Sequence, residues 1–194
     1  MKQFSFFLFI LASIPLLSAC GGEPIETNMS EDVQEFEVTT QDNEVLSMDD
    51  LEGDYWIADF IFTNCETECL PMTSNMSYLQ DELNEEGIDI QFVSFSIDPE
   101  HDTPEVLTEY GDSFDADFSN WHFTTGYDFE TIKNFALSSF KSLVVEAAEG
   151  DDQITHGISF YLVNPDGEVI KSYNGINLAE MDSIVNDMKK IADS

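Results

Sequence analysis

YWIADFIFTNCETECLPMT, residues 55–73, contains a strand, a junction and the head of a helix. Residues 55–63 form an apolar run broken only by Asp59, the pattern of a central strand buried on both faces. From 66 to 85 the period changes. Met72, Met76, Leu79 and Leu83 fall at i, i+4, i+7 and i+11, one apolar stripe of a helix. Pro71 is tolerated because it lies in the first turn. At this spacing Met72 and Met76 read as core packing, not as thioether metal ligands. Cys65 and Cys69 stand four apart at the head of the helix, which sets them on one face with Cβ atoms about 5–6 Å apart. That separation closes to a disulfide with modest backbone adjustment, or pinches one soft metal ion between two sulfurs. A helix N-terminus favours the thiolate, whereas Glu66 and Glu68 oppose it by like-charge repulsion, and the sequence leaves that contest open.

On either side of this segment, strand-like and helix-like stretches alternate, which predicts an α/β layer. Residues 36–39 and 45–46 read as a short N-terminal hairpin around the turn Gln41-Asp42-Asn43. Residues 90–97 are the next strand. Thr103 then caps a helix with Pro104 at its first position. Residues 121–124 form a strand, Asp128 caps a helix reaching about Phe140, and residues 143–147 are an extra strand or hairpin arm. Residues 158–163 and 168–173 pair around Asn164-Pro165-Asp166-Gly167, a turn with its proline and glycine well placed. The last helix runs from about residue 178 to 192, with Lys189 and Lys190 in the final turn, where they complement the dipole.

Ahead of this domain the chain opens with one lysine and an apolar run over residues 6–17, too short for a permanent span and suited to a signal-peptide core. It ends in Leu17-Ser18-Ala19-Cys20, which resembles the bacterial lipobox, and so implies a lipid on Cys20. With Cys20 so used, Cys65 and Cys69 have only each other among the three cysteines. The expected organisation is a leader over 1–19, an acidic flexible tether over 20–34 and one domain over 35–194. Six lysines, no arginine and 40 carboxylates give a formal charge of −34. Such a surface repels phosphates and anionic lipid head groups, so a nucleic-acid partner is excluded and membrane residence needs an anchor. The carboxylate runs, including Asp151 and Asp152, lack the spacing and glycine of a calcium loop and read as a solvated face.

The run FTNCETECLPMT resembles the CxxxCP signature of the Sco/SenC family of copper-binding proteins. Three further segments resemble that family in the same order: Ser96-Ile97-Asp98-Pro99-Glu100 with Asp102-Thr103-Pro104, Trp121-His122-Phe123-Thr124-Thr125-Gly126, and Thr155-His156-Gly157 through Gly167. The likeness covers about residues 36–192 and departs from the common pattern at Leu70, which separates Cys69 from Pro71. It implies a thioredoxin-like α/β fold, a central mixed sheet flanked by helices with an added N-terminal hairpin. It also implies one copper ion per chain, Cu(I) or Cu(II), held by Cys65, Cys69 and His156, with Cys65 and Cys69 also forming a redox-active disulfide. Asp98 is expected in an outer shell of this centre. Two thiolates and an imidazole are donors that suit copper; zinc accepts them too but usually takes a fourth ligand.

The resemblance further implies a monomeric metallochaperone, lipid-anchored on the extracytoplasmic face of the cell membrane, that serves the copper A centre of cytochrome c oxidase subunit II. An extracytoplasmic thiol–disulfide oxidoreductase and a redox or copper sensor are the competing readings. The CxxxC spacing argues against the first, since dithiol oxidoreductases of this fold typically use CxxC. His101 and His122 read as structural or exposed.

Overall fold

The computed structural model describes residues 24–65 and 67–194; the leader, Cys20 and Glu66 lie outside the described residues. The strands are β1 Glu31–Asp32, β2 Glu37–Thr40, β3 Val45–Ser47, β4 Trp56–Ile61, β5 Gln91–Ser96, β6 Trp121–Thr125, β7 Val144–Val145, β8 Thr155–His156, β9 Ser159–Val163 and β10 Glu168–Asn174. The helices are α1 Cys69–Glu85, α2 Pro104–Asp112, α3 Phe129–Phe140 and α4 Leu178–Ala192. None of the described helices is long and apolar enough to cross a membrane.

Eight strands form one mixed sheet in the order β1-β10-β9-β4-β5-β6-β2-β3, and β7 pairs with β8 beside it. The central β4, β5 and β6 run parallel, as crossovers through α1 and α2 require, while β9 and the flanking hairpins run antiparallel. This is the mixed sheet flanked by helices that the sequence implied, with the β2–β3 hairpin added at the β6 edge.

Alternation along β4 sorts its side chains between two cores. Trp56 and Phe60 meet Phe140 of α3 at ring separations of 6.2 and 5.4 Å, and Phe95 and Tyr161 join them. Ile57, Asp59 and Ile61 face the opposite side, which α1 and α4 cover. The stripe Met72, Met76, Leu79 and Leu83 is completely buried there, which confirms its core role. Each such side chain contributes about 1.5–3 kcal/mol of burial. The expected caps form: Thr103 accepts from the Val106 amide, and Asp128 accepts from Thr131 at 2.8 Å. Gly167, at φ 79°, closes the β9–β10 turn in the left-handed region.

Two boundaries differ from expectation. Helix α1 begins at Cys69, not at 66, so Cys65 precedes the helix in a turn. The segment expected as a tether is seated on the sheet over most of its described length. β1 pairs antiparallel with β10, Asn28 bonds Ser172 in both directions (Nδ2 to O 3.0 Å, N to Oδ1 2.8 Å), and the Val33 amide donates to Gly167 O at 2.9 Å. Ile25 is buried, and Met29 and Val33 pack against the core. The polar composition misled because Asn28 and the backbone spend their hydrogen bonds on a sheet edge, an interaction with no local sequence period. A chain beginning at residue 35 should therefore be less stable than one beginning at residue 24, by roughly 2 kcal/mol or more at about 1 kcal/mol per lost hydrogen bond. Urea melts of the two chains check this, and coincident curves would contradict it.

Candidate metal centre

The junction between β4 and α1 is held by a carboxylate. Asp102, completely buried, accepts from the Thr63 amide (3.2 Å), the Thr63 hydroxyl (2.5 Å), the Ser96 hydroxyl (2.6 Å) and Nδ1 of His101 (3.1 Å). These bonds fasten the turn before Cys65 to the end of β5 and the start of α2. His101 lies at the rim with its side chain 53% exposed, in the structural role expected of it. His122 is half-buried on β6, its pKa lowered by burial. A second clamp crosses the opening. Asn64 donates to Asp152 at 2.8 Å, and Gln153 donates back to Asn64 O at 3.1 Å, which ties the segment before β8 to the cysteine turn.

That clamp brings His156 to the cysteines. Its Nε2 stands 3.3 Å from Cys69 Sγ, its ring packs edge-on to Phe62, and the donor atoms of Cys65, Cys69 and His156 all lie within 4.8 Å of one another. Nδ1 is 2.8 Å from Gly157 O. A carbonyl only accepts, so Nδ1 carries the hydrogen and the Nε2 lone pair faces the sulfurs, the tautomer a metal ligand needs. Gly157 lies close against Ser142, and a Cβ there would meet Ser142 Oγ at 2.8 Å unless that side chain turned away.

Both thiols are free and buried. The Cys69 amide, first of the helix, donates to Cys65 Sγ at 3.4 Å. The Cys65 thiol is held well below its ordinary range, first by the hydrogen bond from Cys69 and then, against the opposing cost of burial, by the amides of Thr67 and Cys69. Cys69 is pushed the other way, because it gives its hydrogen to Cys65, is buried, and lies in the field of the Cys65 and Asp59 charges. One proton thus leaves the pair easily and the other stays until a cation replaces it. Of the two thiols, Cys65 is the one held toward the thiolate.

Asp98 sits at the end of β5, its amide donating to Ser96 Oγ at 3.1 Å, and lines an acidic hollow with Glu100, Glu146, Asp151 and Asp152. Its pKa is raised by burial and by the charges of Asp102 and Glu100. Asp98 lies outside the three-donor cluster. Sequence reasoning missed Asp102, which the Asp102-Thr103-Pro104 motif contained, and Asn64, for which no local signal exists. It also passed over Asp59, visible only as the break in the β4 run. The Asp59 side chain is completely buried and its pKa is raised to about 7, mainly by burial, which the nearby Ser94 hydroxyl only partly offsets.

A Cys–Cys–His cluster at the strand-to-helix junction of a thioredoxin-like sheet defines a domain able to hold a soft or borderline metal ion. The SCO1/SenC family matches residues 26–193, and the chain belongs to that family. It is 47% identical over 173 residues to the SCO1 protein homolog of Bacillus subtilis, covering 89% of each chain. The crystal structure of a SCO1/SenC family lipoprotein from Bacillus anthracis superposes with TM-score 0.80 at 46% identity, covering 84% of this chain and 95% of the other. The structure of BsSco, described as a member of the Sco family of cytochrome c oxidase assembly proteins with a disulfide switch, matches at TM-score 0.78 and 44% identity over 87% and 98%. ScoI of Arabidopsis thaliana with copper bound matches at TM-score 0.68 and 26% identity over 81% and 98%.

The asymmetry of the two thiols is testable. Brief iodoacetamide treatment of reduced, metal-free protein at pH 6, read by peptide mass spectrometry, should label Cys65 in large excess over Cys69. Equal labelling, or preference for Cys69, would contradict the assignment.

Proposed function

We propose that Cys65, Cys69 and His156 take up one copper ion as cargo. On this reading the chain is an assembly factor for the copper A centre of cytochrome c oxidase subunit II. The observation that carries it is the arrangement of donors, with an imidazole lone pair turned toward two free sulfurs before any metal arrives. Two thiolates and a neutral imidazole suit either copper state. Copper bound to the Arabidopsis relative and the oxidase-assembly role of BsSco support the reading.

The residues divide the work. Cys65 offers a thiolate in the metal-free protein. Cys69 releases its proton when a cation compensates the second negative charge. His156 supplies Nε2, fixed by its bond to Gly157 O. Asp102 and the Asn64–Asp152 bond keep the two donor loops in register. On this reading Asp98, in an acidic hollow with Glu100, Asp151 and Asp152, is an outer charge that attracts the incoming cation.

The same dithiol supports a second use, for which the asymmetric thiols speak. The Cys65 thiolate attacks a disulfide of the acceptor, and Cys69 then displaces the acceptor's sulfur. Cys65 and Cys69 are oxidised to a disulfide as the acceptor gains two thiols, so atoms and electrons balance. Acceptor reduction of this kind would prepare cysteines for copper. On the same reading the chain is a monomer held on the extracytoplasmic membrane face by a lipid on Cys20, which the relative described as a lipoprotein supports.

Anaerobic titration of the reduced protein against a copper chelator should show one tightly bound copper. His156→Ala should weaken it at least tenfold while the Cys65–Cys69 disulfide still forms on oxidation. Copper affinity indifferent to that substitution would remove His156 from the centre.

A further inference from the structure

The donors and the residues that brace them leave Asp59 without a role. Its carboxylate is completely buried in the middle of β4, and among the described residues neither oxygen completes a hydrogen bond. Carboxylates are almost never fully buried unless paired, and an isolated buried charge is costly. The metal-free fold therefore gains nothing from an acid here. By the alternation of β4, Asp59 points away from the Trp56 and Phe60 core and into the side covered by α1, whose first residue is Cys69. It lies outside the three-donor cluster. Its carboxylate is nevertheless among the groups that push up the Cys69 thiol.

We propose that Asp59 is the charge-setting residue of the centre, a buried carboxylate on the α1 side of β4 whose ionised form biases the site toward divalent over monovalent copper. The reasoning is Coulombic. Attraction between a buried carboxylate and a bound cation scales with the cation's charge, so Asp59 favours the dication twice as strongly as the monocation. With an effective dielectric constant of about 20, one unit charge acting over several ångströms is enough to shift a binding ratio about tenfold or more. Asp59 does this without ligating, and so without demanding a coordination position.

This inference rests on the reading that Cys65, Cys69 and His156 bind copper, and the test separates the two. Reduced wild-type protein and Asp59→Asn, a nearly isosteric neutral variant, are titrated anaerobically against a cupric and, separately, a cuprous chelator. The ratio of cupric to cuprous affinity should fall about tenfold or more in Asp59→Asn, equivalent to a rise of about 59 mV in the bound one-electron couple. Asp59→Ala should move the ratio in the same direction. Metal-free Asp59→Asn should also melt at a higher temperature than wild type at pH 8, because a desolvated charge has been removed. An unchanged ratio, or equal losses of both affinities, would overturn the inference alone. An Asp59→Asn chain that fails to fold or melts lower would overturn it too, by making Asp59 a structural group. A wild-type chain that binds neither ion would overturn the copper reading and this inference with it.

Discussion

Cys69 Sγ and His156 Nε2 meet at 3.3 Å across 87 residues of sequence, and much of the surrounding structure serves to hold that contact. On one side, the apolar strand β4 delivers the cysteine turn to a fixed place at the end of the sheet, and Asp102 fastens it there with four hydrogen bonds. On the other, β8 is only two residues long and would not persist alone. It is steadied by pairing with β7, by the close approach of Gly157 to Ser142, and by the Asn64–Asp152 bond. A donor set prepared in this way would bind metal without first ordering two loops, which is the physical meaning of preorganisation.

Charge is distributed to the same end. Among the described residues every lysine is engaged in an ion pair: Lys133 with Glu130, Lys141 with Glu31, Lys189 with Glu86, and both Lys171 and Lys190 with Asp187. Exposed pairs of this kind add little stability. The Asp187 cluster is the exception in burial, with Lys171 at 2.6 Å and the Tyr173 hydroxyl at 3.0 Å. None of these cations stands among the residues of the metal centre. Asp152, which bonds Asn64 of the cysteine turn, instead lines an acidic hollow with Asp98, Glu100 and Asp151, so the field on that side attracts cations.

Most of the fold was legible because it is written in local periods. The β4 run, the methionine–leucine stripe of α1, the Thr103 and Asp128 caps and the Asn164–Gly167 turn each follow from neighbouring residues. Helix α4 follows in the same way, from a predicted span that the structure reproduces. The cysteine pair was legible for the same reason, and His156 became so through the family pattern. What escaped depends on contacts between distant residues. Asn28 and β1 find the free edge of β10, a partner about 140 residues away in sequence by the separations of their bonds. Cys65 falls outside α1 because its sulfur, not a helical carbonyl, takes up the first amide. Asp59 was noticed only as a flaw in an apolar run, since nothing local reveals that its carboxylate is buried with no completed hydrogen bond.

The account depends above all on two sulfurs and one imidazole sharing a single ion. X-ray absorption at the copper edge, on protein loaded with one equivalent, tests this directly. Two sulfur scatterers and one histidine nitrogen are predicted, with the imidazole scattering lost in His156→Ala and the sulfur shell kept. A sulfur shell of fewer than two, or a spectrum unchanged by the loss of His156, would contradict the account.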